Sequence, residues 1–102
     1  MITVQDILTF LEGFVPPELA EGWDNVGLLC GNRTQPVTKV LCALDVTEQV
    51  VAEAAARGAQ LIVAHHPVIF TSVSRVTGDD ATGRTLRAAI AHECGLRAGR
   101  CE

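Results

Sequence analysis

The chain has 102 residues, 48% hydrophobic and 20% charged, enough to bury one modest core and too few for two. That balance excludes a disordered acidic tail, and no Pro/Gly/Ser-rich linker or low-complexity tract interrupts it. The net charge of −4 is uneven: residues 1–56 set eight acids against Arg33 and Lys39, while residues 57–102 set six arginines against four acids. The arginines are scattered rather than interleaved with stacking aromatics, which argues against a nucleic-acid partner. No run approaches the roughly 18 apolar residues of a membrane span. Met1 to Phe10 carries Asp6 and no basic flank, so it does not read as a signal peptide, and a soluble cytoplasmic protein with no membrane partner is expected.

In chain order, Val4, Ile7, Leu8, Leu11 and Phe14 recur at helical spacing and predict a helix over about Val4 to Phe14. Thr3 and Asp6 form a candidate capping pair at its start, and Pro16-Pro17 ends it. Val26 to Cys30, between Gly22 and Gly31, predicts a short strand followed by a Gly-Asn turn. Val40-Leu-Cys-Ala-Leu44 is an unbroken apolar run of the kind buried on both faces of a parallel sheet. Thr47 is a candidate N-cap for a helix to about Arg57, with Val50, Val51, Ala54 and Ala55 as its apolar stripe and Gly58 as its stop. Leu61-Ile-Val-Ala64 is a second buried strand, which completes a βαβ unit.

Val68 to Asp80 reads as loop, and a further helix is expected from about Gly83 to Cys94 with Gly95 as its stop. Leu96 to Glu102 shows neither the apolar content nor the length of a strand, so the chain is expected to stop in the middle of a fold.

In open α/β sheets, ligands bind beyond the carboxyl ends of the strands. Asp45 follows the first strand of the βαβ unit and His65-His66 follows the second, so a carboxylate and two imidazoles are expected at one rim. Imidazole is a common ligand for transition metals, and Pro67 holds the turn extended. Adjacent residues leave a strand in opposite directions, which suits two ions about 3.5–4 Å apart better than one. The plain alternatives are one core and one exposed histidine, or an acid/base pair without metal. For Asp45 the alternative is a residue that ends the strand and helps to cap the next helix.

His92 sits where its ring can meet the carbonyls at a helix end. Among the cysteines, Cys30 and Cys42 lie in apolar runs and read as small core residues, with thiols expected to stay reduced. His92, Cys94 and Cys101 could form an irregular metal cluster, though no pair has short zinc-loop spacing. Trp23 reads most simply as core, Asp24 and Asn25 as loop, and the glycines form no nucleotide-binding fingerprint.

Taken together, Glu21-Gly-Trp-Asp-Asn-Val-Gly-Leu-Leu, Ala43-Leu-Asp-Val-Thr47 and Leu61-Ile-Val-Ala-His-His-Pro-Val-Ile-Phe70 resemble, in order and spacing, the amino-terminal part of the Nif-three-like dinuclear metal-centre family, also called GTP cyclohydrolase I type 2 homologues. The resemblance covers about residues 2–95, within a single truncated domain of residues 1–102. It implies an α/β fold of the Nif-three-like type, self-association into a toroidal homohexamer, and a site for two divalent metal ions: zinc, iron, nickel or manganese.

By the family pattern His65 and His66 are metal ligands, one for each ion, and Trp23, Asp24, Asn25 and Asp45 are pocket residues. The implied activity is metal-dependent hydrolysis of a small-molecule or phosphate-containing substrate. The other reading is a non-catalytic metal-binding or protein-interaction module built on a ring-shaped oligomer. The family pattern continues into a strand with an Asp ligand, and later supplies a His and a bridging Glu. Those three are absent here, and residues 96–102 diverge, so an incomplete fragment is expected.

Overall fold

A computed structural model describes residues 1–13, 27–65 and 75–98. Helix α1, Val4–Glu12, begins at the expected cap. The Thr3 hydroxyl accepts from the Asp6 amide at 3.3 Å, and the Asp6 carboxylate accepts from the Thr3 amide at 2.9 Å. Those bonds from Thr3, its backbone N–H first and its hydroxyl second, hold the Asp6 carboxyl below the usual carboxylate range. Phe14 and Pro16-Pro17 lie outside the described residues.

Strand β1 is Gly27–Cys30 and β2 is Val40–Ala43. Helix α2, Glu48–Ala56, starts at Thr47, whose hydroxyl accepts from the Val50 amide at 3.2 Å. It stops where Gly58 takes a φ of +74° and the amides of Gly58 and Ala59 donate to the carbonyls of Ala55 and Ala54, a Schellman ending. The Glu53–Arg57 pair forms at 3.0 Å, but both side chains are more than half exposed, so it adds little stability. Strand β3 is Leu61–Ala64, as expected.

Helix α3 occupies Ala81–Ala91, starting two residues earlier and ending three earlier than its periodicity suggests. Asp80 sets the start by accepting from the Gly83 amide at 2.6 Å. The stop is not Gly95. Glu93 takes the left-handed position at φ 52°, with Glu93 and Cys94 amides donating to Ile90 and Ala89, and this releases Gly95 to open a strand.

That strand, β4, Gly95–Ala98, corrects the expectation that nothing regular follows the last helix. It pairs in parallel with β3 and antiparallel with β1, giving the order β1-β4-β3-β2. All four of its residues are buried, so the segment without a visible pattern is a central strand. A four-residue strand covered on both sides has no polar face to alternate with, and Arg97 breaks its apolar run.

The second correction concerns β2. It pairs only with β3 among the described strands, and Val40 and Cys42 are exposed, as is Leu44 beyond its end. Among the described strands the run lies at an edge, and its Val40/Cys42 face is exposed, so it is not buried on both faces and Cys42 is not a core residue.

Two cores sandwich the sheet. On one side Val51 and Ala54 of α2 and Leu86 and Ala89 of α3 pack on Ile62 and Leu96. On the other, Val4 and Leu8 of α1 pack on Leu61 and Val37, with Leu28 and Val63 alongside. Alternation along β3 explains the division, since Leu61 and Val63 face α1 while Ile62 faces α2 and α3. In β1 the ladder steps from Leu28↔Arg97 to Cys30↔Leu96, leaving Leu29 as the extra residue of a bulge. The bulge turns Cys30 to the α2/α3 side, while Leu28 stays under α1.

Candidate metal centre

Two elements position the rim. β2 and β3 run parallel and in register, with Ala43 opposite Ala64. The His65 amide extends the ladder by donating to the Ala43 carbonyl at 3.2 Å. Asp45 thus leaves β2 two residues beyond the last pair, and His65 leaves β3 one residue beyond it, at the same carboxyl edge. Asp45 is exposed and His65 is half-buried, and neither is without an interaction. This is the juxtaposition predicted from the βαβ topology. His66, Trp23, Asp24 and Asn25 lie outside the described residues.

The imidazole at this rim is chemically suited to a divalent ion, with Asp45 on the neighbouring strand as the expected pocket residue. Among the described residues, however, no three His, Cys, Asp or Glu side chains converge closely enough to hold one. Of the two expected ligands, His65 alone is among the described residues.

His92 is the exposed C-cap residue of α3, in keeping with a helix-end role. Cys94 is buried, and Cys101 lies outside the described residues, so no cluster of His92, Cys94 and a third ligand forms among those described.

A feature that spacing did not reveal lies at the other end of the strands. A cavity of about 600 Å³ is lined by Cys30, Gln35, Ala89, Ile90, Glu93 and Cys94, among others. It sits where Cys94 leads into β4, opposite the carboxyl rim, and two of its lining residues are joined where the Gln35 side-chain amide donates to the Glu93 carbonyl. Burial pushes the Cys94 thiol up to about 11, with neighbouring Cys30 adding to the rise, and burial raises Cys30 as well. Both are protonated at neutral pH, which suits packing rather than nucleophilic or metal chemistry. The bulge at Leu29 brings Cys30 here, and bulges leave no mark in an apolar run.

The fold and the sequence have close counterparts. A Clostridium perfringens protein named GTP cyclohydrolase 1 type 2 homolog is 43% identical over 93 residues, which are 91% of this chain and 36% of that protein. The crystal structure of a Staphylococcus aureus hypothetical protein superposes with a TM-score of 0.90 at 43% identity, covering 94% of this chain and 27% of the other. A Bacillus cereus protein related to NIF3 gives a TM-score of 0.91 at 37% identity, over 97% of this chain and 27% of the other. The chain therefore spans about a quarter to a third of these relatives and corresponds to a fragment of them. The pattern of the Duf34/NIF3 (NGG1p interacting factor 3) family matches residues 2–98, so it runs through β4, and the chain belongs to that family.

Proposed function

We propose that this chain carries part of a dinuclear metal centre serving hydrolysis of a small, phosphate-containing molecule, with His65 and His66 each holding one divalent ion. The observation that supports this reading is the in-register parallel pairing of β2 with β3, which gathers Asp45 and His65 at one carboxyl edge. A pair of divalent ions, zinc, iron, nickel or manganese, supplies Lewis-acid activation for hydrolysis. The chain's own residues do the placing. His65 is anchored by its backbone bond to Ala43, so its ring is presented from a rigid strand end, and Asp45 orients water or substrate from the neighbouring strand. Trp23, Asp24 and Asn25 belong to the pocket wall in this reading.

The relatives' name, GTP cyclohydrolase 1 type 2 homolog, favours a nucleotide or similar phosphate-bearing substrate. The family resemblance supports a ring-shaped homohexamer. No helix among the described residues is long and apolar enough to cross a membrane.

A second reading, a non-catalytic metal-binding or protein-interaction module, is favoured by one observation. The described residues bring no three metal-ligating side chains together, fewer than the three protein ligands of a typical catalytic zinc site.

Plasma mass spectrometry on the purified chain, with His65→Ala/His66→Ala alongside, tests metal binding. Weak uptake of divalent metal that the double variant loses is the expected result for two imidazoles without the remaining ligands. A folded wild-type chain that takes up no more metal than the double variant under excess divalent ion overturns the assignment. Turnover of a nucleotide or phosphate ester separates the hydrolase from the non-catalytic module.

A further inference from the structure

Arg97 is the unusual member of the central strand. It is only 8% exposed in a strand whose four residues are all buried. Leu96 belongs to the core under α2 and α3, so alternation turns Arg97 to the α1 side. Its ladder partners on either hand, Val63 and Leu28, pack in the apolar core beneath α1. The exposed arginines behave differently. Arg33 binds the Gln5 side chain at 2.9 Å, Arg57 pairs with Glu53 at 3.0 Å, and Arg84 reaches Glu48 at 3.5 Å. Among the described residues no carboxylate pairs with Arg97.

A guanidinium stays charged at any physiological pH, and removing it from water without an anion is unfavourable. Replacing such a group by an apolar one of similar size is often neutral or stabilising, so its presence in a core strand calls for a function. No fully buried side-chain nitrogen of the described residues lacks a partner, so any Arg97 nitrogen without one keeps some contact with solvent.

Position supplies the second part. Arg97 pairs with Val63, and His65 follows Val63 by two residues on the same strand. Continued alternation sets Arg97 and His65 on one face, diagonal neighbours at the carboxyl rim of β3 and β4. A fork of N–H donors there matches a phosphate group.

We propose that Arg97 is an anion-binding residue that takes a phosphate group on the α1 side of the rim, beside His65. As a role in catalysis this rests on the reading of the rim as a metal-dependent site. As a binding property it stands separately.

The test uses the full 102-residue chain and two probes, inorganic phosphate and adenosine monophosphate, titrated by calorimetry and by the ¹⁵N chemical shift of the Arg97 Nε–H. Arg97→Met is expected to keep or raise the melting temperature while weakening phosphate binding by roughly ten- to a hundred-fold. Arg97→Lys should fall between, because it keeps the charge and loses the fork. His65→Ala/His66→Ala should lose metal yet still shift the Arg97 signal with phosphate. Tighter binding of the nucleotide than of the free ion, still dependent on Arg97, supports a substrate-binding role.

Equal phosphate affinity in wild type and Arg97→Met overturns the proposal, as does an Arg97 signal that phosphate leaves unmoved. A fall in melting temperature in Arg97→Met with no phosphate effect in either protein also overturns it, in favour of a structural pairing. A metal-free wild type that binds phosphate through Arg97 would remove the metal reading and leave this one standing.

Discussion

Gly31 and Gly95 touch backbone to backbone where β1 ends and β4 begins: a Cβ placed on Gly31 would lie 2.8 Å from the Gly95 Cα. The approach follows from the bulge at Leu29, which draws the end of β1 across the start of the central strand. Gly31 also has a φ of +131°, where side chains are strained whatever the space. Gly31→Ala should therefore lower stability by about 1–3 kcal/mol from backbone strain, with the clash adding to it. Gly58→Ala is the comparison, since Gly58 has a φ of +74° but open space around its missing Cβ. Its cost should be close to the conformational one, about 1 kcal/mol. Urea unfolding of the two variants decides; a Gly31→Ala no worse than Gly58→Ala would show that β1 can move away from Gly95.

The opposite sign is expected at Glu93. This residue holds the left-handed position at the end of α3, φ 52°, which a β-carbon disfavours. The contacts that matter there are made by backbone: the Glu93 amide donates to Ile90, and the Glu93 carbonyl accepts from Gln35. Removing the side chain leaves both intact. Glu93→Gly should stabilise the chain by about 0.5–1 kcal/mol, the difference between Gly and another residue in this conformation. A drop in the urea midpoint would mean that the Glu93 carboxylate has a role in the cavity that its conformation does not reveal.

The parts of the fold legible in the sequence were those announced by local chemistry. Thr3 with Asp6, Thr47 and Gly58 mark helix ends by hydrogen-bonding and backbone preferences that act within four residues. The Asp45–His65 rim was legible one level up, because a strand, helix and strand in succession bring two carboxyl ends together. What could not be read depends on distant neighbours. The apolar run from Val40 to Leu44 does not state whether a strand lies on both of its sides, and here none of the described ones covers its outer edge. The Cys30–Cys94 cavity exists because one residue is inserted in a ladder, which no periodicity records. The strand at Gly95–Ala98 was hidden by Arg97, the one residue whose burial is hardest to justify by packing.

The thiols offer a test of the core that needs no substitution. Cys42 stands exposed on the edge strand, Cys30 is half-buried, and Cys94 is buried between α3 and β4. Alkylation requires the thiolate, so both access and acidity order the reaction. With iodoacetamide near pH 8, followed by site-resolved mass spectrometry, Cys42 should be modified first and Cys94 last. The Cys94 rate should go on rising toward pH 11 rather than levelling near 9.0, because burial first and Cys30 second hold its proton. The same shift has a consequence for stability. A thiol whose folded pKa lies above its unfolded value favours the folded state at every pH below the unfolded one, and that contribution is lost as pH climbs through the folded value. The urea midpoint should therefore decline between about pH 9 and pH 11, and Cys94→Ala should decline less over that window, although it starts lower because it leaves a small void. Equal labelling of Cys94 and Cys42 at pH 8 would mean that the end of α3 opens readily, and would place the weak point of this fold at the Schellman turn around Glu93.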